Sequence, residues 1–211
     1  MGVAMLEDTM QSATTYALDD DLALVRASRC GEVAAFERLV KRYDSKLLRI
    51  AQNVTHDLND AEDAVQEAFL KAFQKLDQFQ ELARFSTWLV RITLNESFTK
   101  LRKQRARLES SIDSSAYADS ETERLPLDVA DGSPNPEALY RASELNEILT
   151  NSLQRLSPAL RIVFVLRDIE EYSINETCEI LNLTATAVKT RLSRTRLQLR
   201  EELSKYFKRP E

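Results

Sequence analysis

The sequence predicts an all-α protein of two small helical domains joined by a flexible acidic linker. Three observations carry that prediction. The 211-residue chain has three glycines and almost no strand-like alternation of apolar and polar residues. Apolar residues instead recur at helical spacing through most of it, with capping residues at the starts. Between residues 108 and 137 the periodicity stops, in a stretch rich in Ser, Asp, Glu and Pro that includes SSIDSSAYADSETE and DGSPNP. Such a composition buries too little apolar surface to offset chain entropy.

Residues 1–18 show no helical period and are expected to form a frayed tail. The acidic run Asp19–Asp21 starts a short helix through Leu22, Leu24, Val25 and Ala27, where carboxylates suit the N-terminal dipole. Gly31 breaks it. Glu32 opens a long helix with Ala35, Phe36, Leu39, Val40, Tyr43, Leu47 and Ala51 on one face. Asn59, with Glu62 three residues on, signals the next start. That helix, DAEDAVQEAFLKAFQKL, turns Ala61, Ala64, Val65, Ala68, Phe69, Ala72, Phe73 and Leu76 inward. Its other side gathers Asp60, Glu62, Asp63, Gln66 and Glu67 within two turns. The pattern alone favours a solvated face, with a docking face for a basic partner as the second reading. A metal site has little to work with, because His56 is the one histidine in the chain and no facing Glu-x-x-His helix exists.

Asp77–Arg84 reads as a loop, and Ser86 is the expected cap of the helix that follows, with Trp88, Leu89 and Ile92 packing inward. From Lys100, KLRKQRAR places five cations in eight residues. Alone, that is a solvated helix end; beside a DNA-binding unit it is a phosphate-contacting surface. Helix formation resumes near Pro136 with Leu139, Leu145, Ile148, Leu149 and Leu153.

Ser157 is an N-cap and Pro158 sits at the first helical position, where its missing N–H does no harm. Leu160, Val163, Phe164 and Leu166 follow, before an acidic turn at Asp168–Glu171. Ser173 and Glu176 form a capping box for a second short helix, with Ile174, Cys178 and Leu181 as its apolar positions. Asn182 takes the turn, and Thr184 caps a third helix that points Val188, Leu192 and Leu199 inward. Thr186, Lys189, Thr190, Ser193 and either Arg194 or Arg196 are left outside. Two short helices, a tight turn and an outward basic face match a DNA-reading helix-turn-helix. Hairpins of this shape also occur in bundles that never touch DNA.

The net charge of −5 conceals a segregation. Residues 108–140 hold eight acids against one arginine, whereas residues 23–107 and 141–211 together carry a net charge of +7. Basic folded units with acidic flanks are the footprint of a nucleic-acid binder. Cys30 and Cys178 fall in predicted helices without ligand spacing, so buried thiols in a reducing compartment are expected. No apolar stretch is long enough for a membrane span and no signal peptide precedes Asp19, so a cytoplasmic protein without membrane insertion is expected.

Three motifs in order, DAEDAVQEAFLKAF (60–73), FSTWLVRITLN (85–95) and LSPALRIVFVLRDIEEYS with VKTRLSRTRLQLR (156–200), resemble those of bacterial RNA polymerase sigma factors. The similarity is to the compact extracytoplasmic-function group of the sigma-70 family, which has only the region 2 and region 4 domains. The resemblance implies a region 2 domain over 19–107 and a region 4 domain over 138–206. It implies that Asp60, Glu62, Asp63, Gln66 and Glu67 dock on the clamp helices of the polymerase's largest subunit. Gln78, Phe79, Gln80, Arg91, Asn95, Lys100, Arg102 and Lys103 fall on the elements that recognise and melt the minus-ten promoter element. Thr186, Lys189, Thr190, Arg191, Ser193 and Arg194 fall on the helix that lies in the major groove of the minus-thirty-five element.

Further partners implied are the flap of the second-largest subunit and an anti-sigma factor. The linker would thread the polymerase's active-site and RNA-exit path. No catalytic residue, metal or cofactor is expected. Two departures stand out: the family's usual Arg-Gly after the Phe at position 79 is here Gln80–Glu81, and a common Gly-Thr before Val is here Thr186–Ala187. The alternative, a stand-alone helix-turn-helix regulator, gives no reason for the acidic helix or the TWL segment.

Overall fold

The structure, a computed structural model, describes residues 20–111 and 148–207. The expected tail at 1–18 and the linker beyond residue 111 lie outside the described residues. The first module contains α1 (20–29), α2 (Val33–Thr55), α3 (Leu58–Gln74), a 3₁₀ turn at Leu76–Gln78, and α4 (Phe85–Ser111). The second contains α5 (148–154), α6 (Pro158–Phe164) continued by a π-turn at Val165–Ile169, α7 (Ile174–Leu181) and α8 (Ala185–Phe207). No strand occurs among the described residues.

Helix boundaries follow local chemistry. Gly31 separates α1 from α2 with φ +93°, a conformation open to glycine. His56 ends α2 in a left-handed conformation, φ 62°, leaving Asp57 extended as a cap requires. The Asp57 carboxylate accepts the Asp60 N–H at 2.9 Å, so α3 begins before Asn59, which the sequence suggested as the cap. Arg84, not Ser86, offers the first carbonyl of α4, accepting from Trp88 N–H at 3.2 Å. Helix α4 continues past residue 107, the expected edge of the linker. Cys30 is exposed in the turn before Gly31 rather than buried in a helix, and Cys178 is half-buried.

In the second module Ser157 takes the N-cap position, with extended backbone and Pro158 behind it, but its hydroxyl makes no capping bond. The capping box forms in full: Ser173 N–H donates to Glu176 at 2.8 Å, and Glu176 N–H to Ser173 Oγ at 3.2 Å. Asn182 turns the chain with φ 52°, and Thr184 Oγ1 accepts from Ala187 N–H at 3.2 Å.

The core of the first module runs through Val25, Leu39, Leu47, Ile50, Val65, Phe85, Leu89 and Leu94. The second module has small clusters of its own, Leu153–Leu156–Leu199 and Val163–Val188–Leu192. Its other face does not end in solvent. Ile162, Val165, Leu166, Tyr172 and Ile180 complete the core of the first module, with α6 against α2 and α7 against α4. Helix α7 is therefore two-sided: Ile174 and Cys178 turn toward α8, Ile180 turns toward the first module, and Leu181 packs against both.

Polar contacts frame this junction. Glu170, its side chain 4% exposed, sits between Lys46 Nζ at 3.5 Å and Arg49 Nε at 3.2 Å. Arg84 pairs with Glu176 at 3.3 Å, and Lys46 Nζ lies 4.4 Å from the centre of the Tyr172 ring.

Candidate nucleic-acid interface

Helix α4 sorts its residues by face. Thr93 and Ser97 are buried and return their hydroxyls to the carbonyls of Leu89 and Thr93. The other side exposes Arg91, Asn95, Arg102 and Lys103. Lys100 is half-buried and pairs with Asp63 at 2.6 Å, so two residues expected at different interfaces meet in this structure.

The connection before α4 exposes Gln78 and Gln80, but Phe79 departs from the expectation of a DNA contact. It is 4% exposed, its ring 5.7 Å from Phe85 and 5.2 Å from Trp88. Burying an aromatic ring is worth more than displaying it, so Phe79 supports the connection from below. Trp88 is half-buried at the edge of the same cluster.

Two residues of α1 that the sequence did not single out reach this connection. Arg26 and Arg29 both hydrogen-bond the Glu81 carboxylate, and those contacts, Arg26 first, hold its carboxyl below the usual range. Two arginines at the end of a short helix that opens on acids read in the sequence as an ordinary dipole-matched pattern, which hid them.

On α8, Thr186, Lys189, Thr190, Ser193 and Arg194 are exposed, and Arg191 is half-buried. Periodicity left Arg194 or Arg196 outside; both are exposed, and Arg196 pairs at two points with Asp168 at 3.0 and 2.6 Å while it stays on the surface.

Helix α3 exposes Glu62, Asp63, Gln66 and Glu67, while Asp60 is half-buried at the N-terminus. The same side continues into Leu70 and Phe73, which are also exposed. Periodicity had placed Phe73 inside; it instead lies half over Phe36, ring centres 5.0 Å apart. Leu70, an apolar residue in register with Gln66 and Glu67, was the available signal that this face is more than a solvated one. Among the described residues no group of three or more His, Cys, Asp or Glu could hold a metal ion, and no helix is long and apolar enough to cross a membrane.

Comparison with known proteins decides the family. Sigma-70 region 2 matches residues 39–107, and Sigma-70, region 4 matches residues 146–199. The ECF RNA polymerase sigma factor SigW of Bacillus subtilis is 34% identical over 185 residues, spanning 85% of this chain and 94% of that protein. The chain belongs to the ECF sigma factors of the sigma-70 family. The ECF RNA polymerase sigma-E factor of Escherichia coli is 32% identical over 177 residues, spanning 83% of this sigma factor and 90% of its own length.

Among solved structures, CnrH in complex with the cytosolic domain of CnrY is 27% identical, with a TM-score of 0.61 over 88% of this chain and 97% of that one. RpoE of Bartonella quintana, 24% identical over 80% of this chain and 96% of its own, shares the fold with a TM-score of 0.62. This sigma factor is thus a transcription-initiation subunit, with its region 2 match ending in α4 and its region 4 match covering α6, α7 and most of α8.

Proposed function

We propose that residues 19–107 form the unit that docks on core polymerase and opens the minus-ten element, and residues 138–206 the unit that reads the minus-thirty-five element. Docking uses Asp60, Glu62, Asp63, Gln66 and Glu67 against the clamp helices, extended by Leu70 and Phe73. The observation that carries the reading is that this polar face and its apolar end are exposed together on α3, beside an otherwise basic module. Arg91, Asn95, Lys100, Arg102 and Lys103 follow the displaced single strand, with Gln78 and Gln80 at the connection. Phosphate contacts position the strand, and capture of unstacked bases drives melting. Thr186, Lys189, Thr190, Arg191, Ser193 and Arg194 enter the major groove, where each good base-edge contact contributes about 1–3 kcal/mol of discrimination.

The second module also meets the polymerase flap. CnrH is solved with the cytosolic domain of CnrY, which supports a further protein partner in the cytoplasm, an anti-sigma factor in this reading. The chain performs no covalent chemistry; nucleotide addition belongs to the polymerase.

Promoter engagement requires the modules to part. Elements at minus ten and minus thirty-five lie about 25 base pairs apart, about 85 Å at 3.4 Å per pair. Helix α7 touches both α4 and α8, so the two reading helices are separated by one helix about 10 Å thick. The packed arrangement therefore belongs to the protein off the promoter.

The test is affinity for sigma-free core polymerase, wild type beside Asp63→Lys/Glu67→Lys. The double reversal is expected to weaken binding about 100-fold while the protein still melts cooperatively. A mutant that folds and binds like wild type would move the docking face elsewhere.

A further inference from the structure

Among the described residues, the ion pairs of the first module divide by where the acid comes from. Arg26, Arg42 and Lys71 find theirs inside it, on Glu81, Asp20 and Glu96. Lys46 and Arg49, one turn apart on α2, are answered from the second module. Arg49 donates to Glu170 through Nε at 3.2 Å and Nη2 at 3.5 Å, and Lys46 Nζ lies 3.5 Å from the same carboxylate.

The turn that delivers Glu170 is closely specified. Its N–H donates to the Val165 carbonyl at 2.8 Å and closes the π-turn. Glu171 then takes a left-handed backbone, φ +57°, and Tyr172 N–H donates to the Leu166 carbonyl at 2.9 Å. Widened helix turns of this kind recur at functional positions. A carboxylate and an aromatic ring are thereby presented side by side to one cation: Lys46 Nζ lies 4.4 Å from the centre of the Tyr172 ring. An anion beside a flat ring is also what a nucleotide offers, and cations bind both.

Burial at the contact is unequal. The Glu170 side chain is 4% exposed, whereas those of Lys46 and Arg49 are 28% and 35% exposed. Withdrawing the second module bares the pair on a unit with sixteen cations against eleven acids over residues 23–107. Adjacent cations on such a unit suit a phosphate backbone better than an acidic peptide, because binding the backbone also releases its condensed counterions.

We propose that Lys46 and Arg49 are a phosphate-binding pair for single-stranded nucleic acid, and that Glu170 occupies it while the modules are packed together. Strand and carboxylate compete for the same two cations. A bound strand therefore favours the open form, and the closed form holds the strand off to the same degree. The inference rests on the reading that the modules part on promoter DNA. It adds a nucleic-acid contact on α2 to those assigned to α4, and makes Glu170 its internal competitor.

The experiment uses the full chain and a fluorescein-labelled strand of twelve thymidines, with anisotropy titrations over a salt series and small-angle scattering of the same samples. Glu170→Gln is expected to bind the strand about tenfold tighter than wild type and to have a larger radius of gyration. Saturating wild type with the strand should enlarge its radius likewise. The triple variant Glu170→Gln/Lys46→Gln/Arg49→Gln should open but lose the gain in affinity. Its slope of log affinity against log salt should be shallower than that of Glu170→Gln by about 1.4, at about 0.7 for each cation. If the triple variant binds like Glu170→Gln, the phosphate-binding pair is overturned. If it binds the strand equally but loses affinity for sigma-free core polymerase, the pair serves a protein partner instead. If Glu170→Gln opens without binding better, parting of the modules stands and the competition is overturned. If no variant and no strand enlarges the radius, the modules do not part, and both readings fall.

Discussion

Replacing Arg161 with methionine tests a buried side chain that serves four carbonyls on two modules. The residue is 2% exposed. Its Nε donates to the Leu153 carbonyl at 2.7 Å, and its Nη2 to the Leu156 and Gln154 carbonyls at 2.7 and 2.9 Å. Its Nη1 crosses to the first module and donates to the Asn53 carbonyl at 2.8 Å. Leu153 and Gln154 end α5, and Asn53 lies in the last turn of α2. One cation therefore completes the C-terminal ends of two helices, where unpaired carbonyls and the helix dipole both favour positive charge. Burial lowers its pKa to about 10, which leaves it charged at neutral pH.

Methionine would fill much of the space and leave four carbonyls without their donor. A buried acceptor that loses its partner costs about 1–3 kcal/mol. Against this, a desolvated charge is removed, so the net loss is expected at about 3–5 kcal/mol. That is a large part of a domain stability of about 5–15 kcal/mol. Urea unfolding followed by circular dichroism should show the midpoint falling with little change in slope. Arg161→Lys, a point charge that cannot span acceptors on both sides, should lose about 2 kcal/mol. A loss under about 1 kcal/mol for Arg161→Met would show that water or rearrangement satisfies the carbonyls, and reasoning from the hydrogen-bond count would fail.

Two further outcomes are expected at the same junction. Burial first, then the charges of Arg161 and Arg105, lowers the His56 pKa from 6.5 to about 4. The unfolded chain takes up that proton first, so stability is complete above pH 6.5 and declines as pH falls toward 4. The total is about 2–3 kcal/mol once partial exposure is allowed for. His56→Asn tolerates the left-handed backbone and cannot titrate, so it should flatten that slope; an unchanged slope in denaturation across this range would exonerate the histidine. Glu170→Gln removes the charge that pairs with Lys46 and Arg49, and small-angle scattering of the free protein should then show a larger radius of gyration. An unchanged radius would mean that the apolar contacts alone hold the modules together.

The all-α architecture was legible because its signals are local. The capping box at Ser173, the left-handed Asn182 and the inward Val188, Leu192 and Leu199 depend on residues a few positions apart. The junction between modules was not, because its partners lie far apart in sequence. Arg161 stands at an inward position of α6, but no local rule announces that its acceptors are the ends of two other helices. Ile180 was hidden for a related reason, since a helix with two buried faces looks less periodic than one with a single face. On α8 the exposed positions were readable from periodicity, Arg194 and Arg196 both among them, whereas the pairing of Arg196 with Asp168 was not. The burial of Phe79 was not legible, because the family motif marks its position while its ring packs against Phe85 and Trp88.

The composition of the junction suits the separation of the modules that the proposed function requires. A permanent core gains most from aliphatic contacts, and buried ion pairs often do no better than apolar residues of the same shape. Here Ile162, Val165, Leu166 and Ile180 are mixed with Glu170, Lys46, Arg49, Arg84 and Glu176. When the modules part, the charged groups recover water, which offsets much of what the apolar residues lose. Arg161 fits the same scheme. Three of its four carbonyl acceptors belong to its own module and stay with it when Asn53 and His56 withdraw, which leaves only Nη1 to water. Each module thus keeps its internal hydrogen bonds when separated, and only the cross-contacts are exchanged for solvent or polymerase. The proposed function, which puts α4 and α8 at opposite ends of a promoter, calls for a junction of this kind.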